Sequence, residues 1–349
     1  MRATLRPVLR AFTVLAASVL ASTAQARLEP MADNELSEVA GQGFINLTTD
    51  SNAGIDYTRI NLGLKVETQM NMNKLQLGLY DRAGESAGTS DILINNFALG
   101  SVNDATGTVN PFMINDPFIE LAYSGNKIVG LRVGFAESKG TLSGDIQTLS
   151  GSVPVHIKGT AKPVRDASSG FTRFLLGAAG ISDSTVIEAD AELVNAAGNP
   201  DAVRGVLSGM KNGDVLTCSN NCGLGGLSTA LLSLFSSQGC AVSGTTTCFP
   251  LTQFQSLPVG NTAITDNAAT QTIEGAARGF FIAMQTQAVS WKDLDSNTFK
   301  EAVAGAYLNI PKYRDANGNL VAPININFDQ AFGGIPRADT CFGAATKGC

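Results

Sequence analysis

The chain has 349 residues, of which 15% are charged, 44% are hydrophobic and 37 are Gly, and it carries a formal net charge of −6. An acidic chain without a basic run is a poor partner for nucleic acid or anionic lipid. Sparse charge with plentiful Gly, Ser, Thr and Asn fits an exported β protein better than a cytosolic enzyme, and the length suffices for one large β domain or two smaller ones.

The first 26 residues read as a Sec-type signal peptide. Arg2, Arg6 and Arg10 make a cationic start, Ala11 to Leu20 is an apolar run too short to span a bilayer, and Ala24-Gln25-Ala26 is an A-x-A site with cleavage after Ala26. Removing residues 1–26 leaves 21 Lys and Arg against 30 acids, a charge of −9. No cysteine lies near the cleavage point to take a lipid anchor. No later stretch has the ~18 uninterrupted apolar residues of a membrane helix.

Next comes PMADNELSEVAGQGF, Pro30 to Phe44. Asp33 can cap a short helix over Asn34 to Ala40 that stops at Gly41, with Asp33 and Glu35 at the end where the helix dipole favours acids. Residues 27–43 are therefore expected to stay in the processed chain as a helix and linker. Glu35-Leu36-Ser37-x-Val39-x-Gly41 resembles the end of a double-glycine leader, but Gly41-Gln42 replaces the two small residues and a complete Sec signal precedes it. The same PM-x-D-x-ELS-x-V-x-GQ stretch resembles the N-terminal segment of a group of exported gammaproteobacterial proteins, some labelled as filament or pilus assembly components. The resemblance covers Leu28 to Phe44 and, at most, the strands up to Tyr80. It carries no catalytic motif and implies a structural role.

From Ile60 to Met72 apolar and polar residues alternate without a break, which predicts one long amphipathic strand. The phase flips across Asn73-Lys74 to Leu75, Leu77 and Leu79, as at a bulge or tight turn. Strands are predicted at Asp91 to Leu99, Phe118 to Tyr123, Ile128 to Ala136, Gly140 to Leu149 and Val153 to Ile157, with a hairpin at Gly125-Asn126. Weak helical periodicity follows at Phe171 to Ala179 and Leu227 to Phe235. Strands return at Phe280 to Trp291, Ala306 to Ile310 and Ile324 to Phe328, the last after a turn at Asp315 to Asn319.

The fold class expected is mainly β: a large antiparallel sandwich or barrel-like domain with a loop-rich, partly helical, disulfide-containing insertion. The first part of the β domain spans 44–165, the Gly/Ser-rich insertion 166–279, and the returning strands with the tail 280–349. The six cysteines, Cys218, Cys222, Cys240, Cys248, Cys341 and Cys349, all lie in the second half, an even number suited to an oxidising compartment. Local bridges are favoured, within Cys218-Ser-Asn-Asn-Cys222, across Cys240 to Cys248 and across Cys341 to Cys349. A zinc site is disfavoured, since C-x2-C pairs and neighbouring histidines are lacking.

No motif announces chemistry. The single histidine, His156, points outward between Val155 and Ile157, and no G-x-S-x-G elbow accompanies it. Cys222 to Ser228 is not a G-x-G-x-x-G loop, and Arg314 to Leu320 reads as a turn, not a calcium loop. Met70, Met72, Met113 and Met284 fall on strand faces and read as core filling. No cofactor, metal or catalytic residue is predicted, and the chain is read as a non-enzyme. The expectation is an exported cell-surface or extracellular structural protein, filament- or pilus-associated. Its partners would be other envelope or surface proteins, or further copies of itself, contacted through a strand edge such as Ile60 to Met72. The alternatives are an envelope protein enclosing an apolar ligand such as a lipid, and an outer-membrane β-barrel, which a dearth of girdle aromatics disfavours.

Overall fold

Antiparallel pairing of long amphipathic strands organises the chain. The computed structural model describes residues 45–222, 236–242, 244–267, 270, 272–315, 317 and 319–343. The expected signal peptide with its cleavage at Ala26, the helix expected at 34–40, the helical stretch expected at 227–235 and Cys349 lie outside the described residues. In chain order the larger strands of the first half are β1 (Ile45–Asn52), β2 (Ile55–Leu62), β3 (Lys65–Thr68), β4 (Met70–Leu79), β5 (Ser90–Leu99), β6 (Phe112–Ser124), β7 (Lys127–Leu149) and β8 (Val155–Thr160). Helices α1 (Lys162–Ala167) and α2 (Gly170–Ala178) follow, then β9 (Val186–Val194), β10 (Leu207–Gly209), β11 (Thr217–Asn220), β12 (Cys248–Pro250) and β13 (Ser256–Val259). The last stretch holds β14 (Ala277–Gln285), β15 (Val289–Lys292), β16 (Phe299–Ala302), β17 (Gly305–Asn309), β18 (Ile324–Ile326) and α3 (Phe328–Gly333).

The larger sheet runs β1-β2-β6-β7-β14-β17 and ends on Gly151-Ser152, with β3 on β6, β4 on β5, and β5 and β13 on β7. The smaller runs β12-β10-β9-β8-β18, with β11 on β9. Neither closes into a barrel among the described residues. Both expectations, mainly β and antiparallel, hold; the pairings of β8 with β18 and of Gly151-Ser152 with β17 are parallel.

The main core lies between the far half of the larger sheet and the smaller sheet. It joins Ile92, Ile94, Leu142, Ile146 and Leu149 to Val155, Ile157, Ile187, Phe249, Leu257, Ile324 and Ile326, all buried. Strand β7, 23 residues long, makes this possible. Its first half pairs with β6 and β14, and its second half with β5 and β13. The hand-over falls at Gly140, where φ is 149° and an added Cβ would come within 2.9 Å of Phe112. Two strands were expected here. The glycine that reads as a break is instead the place where the strand changes neighbours without interrupting its backbone.

Other boundaries shift for similar reasons. The single strand expected from Ile60 to Met72 is the end of β2, all of β3 and the start of β4. Strands β2 and β3 both pair with β6, while β4 pairs with β5. Alternation survives a change of partner, so periodicity alone does not reveal it. The phase change at Asn73-Lys74 falls opposite Asn96 of β5, which has φ 50°, and beside a register shift between Asn95 and Ala98. Phe280 to Trp291 splits into β14 and β15. Strand β18 stops at Ile326 because Asn327 caps α3, accepting from the Gln330 backbone N–H while the Gln330 side chain accepts from Asn327. Helix α1, unforeseen, starts with Pro163 in its first turn.

Disulfides join Cys218 to Cys222 and Cys240 to Cys248, as expected. Cys341 is disulfide-bonded as well. The C-terminal tail lies along the first strands: Gln69 and Asn71 donate to the Thr340 carbonyl at 3.0 and 3.2 Å, and the Val102 N–H donates to Asp339 at 2.8 Å.

One buried ion pair ties three segments together. Asp91 on β5, fully buried, accepts from Arg204 Nε at 3.0 Å and from the Ala306 backbone N–H at 2.8 Å. Arg204 in turn donates to Thr89 Oγ1 at 2.6 Å and to the Tyr80 carbonyl at 2.7 Å. A side chain at Gly305 would drive its Cβ to 2.1 Å from Asp91, so this close approach requires glycine. Arg82 Nη2 also lies 3.3 Å from the Asp91 carboxylate, so the charge is stranded only when both cations are lost. Urea denaturation of the double variant Arg82→Met/Arg204→Met should show a loss of about 3–5 kcal/mol, as for other broken buried pairs, and Arg204→Met alone a smaller one.

Candidate interaction surface

The near half of the larger sheet, strands β1, β2, β6, β7 and β14, presents two unlike faces. On one, Tyr57, Phe118, Arg132, Phe281 and Ala283 are buried beneath the β15–β16 hairpin, whose Trp291 and Val289 are buried with them. Arg132 sits at the centre. Its Nε donates to Glu120 and its Nη1 to the Lys292 carbonyl at 3.0 Å, while Phe118, Phe281 and Trp291 rings lie 5.0–5.2 Å from its guanidinium carbon. Nη2 has no hydrogen-bond partner among the described residues, and cation–π attraction to these rings offsets part of that cost. Burial pulls the Arg132 guanidinium down to about 10, still charged at neutral pH. Tyr57 donates its hydroxyl to the Ser290 carbonyl, and Lys292 reaches back to Asp50 at 2.6 Å, both holding β15 onto the sheet. The Tyr57 hydroxyl, Arg132 Nη1 and Lys292 are all spent on closing the hairpin over the sheet, which makes this arrangement structural.

The other face has no such cover. Cross-strand register aligns Leu47, Ile60, Ile119, Val133 and Ile282 in one row across five strands. The neighbouring row carries Thr49, Thr58, Leu121, Leu131 and Met284, and Ile45 and Leu62 extend the face on the other side. Leu47 is 64% exposed, Ile45 58%, and Ile119, Val133 and Met284 between 44% and 47%. No charged side chain interrupts these rows. Together they expose apolar area on the order of 500 Å², the size of the largest patch on many monomeric proteins, which is often a functional one. Met284, read from the sequence as core filling, belongs to this open face; Met70 and Met72 do pack against the main core.

Strand β1 ends this face and the sheet. Among the described residues it pairs only with β2, and Ile45 to Thr49 are all exposed. A two-residue turn, Ala53-Gly54, with φ of 49° and 80°, joins the two strands in the type I′ geometry that matches strand twist.

The remaining candidates lack the makings of a site. His156 lies on the solvent side of β8 between the carboxylates of the adjacent β9: Nδ1 is 2.9 Å from Asp190 Oδ1, and Nε2 is 3.7 Å from Glu188 Oε2, which Lys158 also holds at 2.8 Å. These are cross-strand neighbours, and among the described residues no nucleophile hydrogen-bonds to the ring. Two apolar cavities flank the smaller sheet, of about 30 and 20 Å³, room for a water apiece. No group of three metal-ligating side chains occurs among the described residues, and none of their helices is long and apolar enough to cross a membrane. Asp315 accepts from the backbone N–H groups of Asn317 and Asn319, the turn expected there.

Comparison with known proteins adds no further constraint. No family model, curated protein or solved structure matches the chain.

The open face was hard to foresee. Its residues sit in strands whose alternation signals one apolar side, but nothing local tells which apolar sides meet a second layer and which meet water.

The covered face makes a pH prediction. Burial, reinforced by the nearby Glu120 charge, pushes the Tyr57 hydroxyl from 10.0 up to about 12. A raised folded-state pKa gives stability that is complete below pH 10 and disappears as pH climbs towards 12. Across that window the wild-type chain should lose stability more steeply than Tyr57→Phe, measured by urea midpoints at successive pH values.

Proposed function

We propose that the chain is an exported, non-enzymatic structural and interaction protein of the cell surface or extracellular space, associated with a filament or pilus. The observation that carries this reading is the apolar face spread over five strands, whose central rows hold no charged side chain. A protein surrounded by water keeps such a surface at a cost, and contact with another protein relieves it. Two further features support the reading. Disulfides between Cys218 and Cys222 and between Cys240 and Cys248 belong to an oxidising environment. The Arg2-to-Ala26 segment has the layout of a Sec signal, and Pro30 to Phe44 resembles the start of filament-labelled exported proteins. The absence of a reaction motif in the sequence agrees with a role in contact.

Fractionation of cells into cytoplasm, periplasm, outer membrane and medium tests the reading together with a face variant, Val133→Glu. The wild-type chain should be recovered beyond the inner membrane, retained on the surface fraction and cut by protease added to intact cells. Val133→Glu should be exported and folded to the same extent but shed to the medium several-fold more. Recovery of the wild-type chain in the cytoplasm with its thiols reduced, or surface retention indifferent to the added charge, would overturn it.

A further inference from the structure

The most informative feature outside the sheet faces is the outer edge of β1. Edge strands are normally guarded by lysine, proline, a bulge or brevity. Strand β1 has none of these: INLTTDSN is eight residues long, pairs with β2 in unbroken register, and contains one charge, Asp50. That charge is already matched by Lys292, which draws the carboxyl below its usual range, chiefly through their hydrogen bond.

The direction of the unpaired groups follows from the turn. A two-residue hairpin closes on a hydrogen-bonded pair, here Asn52 with Ile55, and hydrogen-bonded and open pairs then alternate. Even-numbered residues of β1 therefore turn their N–H and C=O groups to β2. The odd-numbered residues, Ile45, Leu47, Thr49 and Ser51, turn theirs outward. The same odd residues place their side chains on the open apolar face. A strand added here must bring outward-facing groups on residues whose side chains share that face, and β1 of a second copy meets both conditions at once.

We propose that two copies of the chain pair through β1, antiparallel about a two-fold axis at Thr48. In this register Leu47 lies opposite Thr49 of the other copy, Ile45 opposite Ser51, and Thr48 opposite itself in an open pair. Asp50 faces Asn46, so no like charges meet, whereas a slip that set Asp50 against Asp50 would be repelled. The two sheets become one, and their apolar faces merge on the same side. The two apolar faces lie side by side in the joined sheet, and the new ladder of backbone hydrogen bonds, with the side chains of facing β1 residues packed across it, supplies the affinity and the register. The inference deepens the interaction role proposed above by naming one partner, and it fails separately from that role.

The purified full-length chain, as cells process it, should sediment at twice the protomer mass at high concentration and dissociate on dilution. Thr49→Pro removes an outward N–H and leaves the β2 ladder intact, so it should halve the mass with an unchanged circular dichroism spectrum. A second variant does not depend on that proline being tolerated. Thr48→Cys places two thiols across the axis, where the ~4.5 Å Cα separation of an open antiparallel pair lets a disulfide close with little adjustment. It should form a covalent dimer under air oxidation, at several-fold higher yield than Thr49→Cys, whose opposite residue is Leu47. A wild-type chain that stays a protomer at its highest attainable concentration overturns the proposal, even if it is surface-retained. So does a dimer that survives Thr49→Pro, or equal cross-linking at the two cysteine positions. A dimer recovered from a chain confined to the cytoplasm would uphold the pairing and remove the surface role.

Discussion

A single strand holds the architecture together. Every backbone N–H and C=O of β7 needs a partner wherever water is excluded, and over 23 residues no one neighbour is long enough to supply them. The strand therefore engages β6 and β14 over its first half and β5 and β13 over its second. Each half acquires its own interior. The far half packs against the smaller sheet around Ile92, Leu149 and Ile157, and the near half closes one side with the β15–β16 hairpin and leaves the other side open. The difference between core and exposed face is thus a difference in what the two halves of one strand are given to lie against.

Electrostatics marks the same division. Asp91 and Arg204, both essentially without solvent contact, fix the far half by drawing a loop and β17 onto β5. Arg132 and Glu120 fix the near half, enclosed by aromatic rings. Both pairs face inward, where a lone charge would be costly. The open row of Leu47, Ile60, Ile119, Val133 and Ile282 contains no charge, and on β1 and β2 the one charged side chain of that face is Asp56, beside the hairpin turn.

Much of this was legible in the residues, and its limits have physical causes. Period-two alternation located β5, β6, β17 and most of β7, and the spacing of Cys218 with Cys222 and of Cys240 with Cys248 identified the bridges. Strand boundaries were missed where the chain slips register on the same partner, as at Gly63, where it changes partner without changing phase, as at Gln69, or where it bends without breaking, as at Gly140. Capping chemistry at Asn327 overrode an apparent strand ending at Phe328. The exposed face was not legible, because exposure of Val133 or Ile119 depends on what a distant segment covers. Leu308 lies at the end of the same row and is buried.

The C-terminal tail carries a consequence for timing. Thr340 and Asp339 bond to Gln69, Asn71 and Val102, and β14 must reach β7 across more than a hundred intervening residues. A chain emerging from its N-terminus cannot seal these strands until Asp339 and Thr340 have been released. Closure of such distant segments is slow, and the early strands must wait in partly paired form. A fold of this connectivity gains from completing its search after synthesis, in a compartment where the cysteines can be oxidised once the tail is in place.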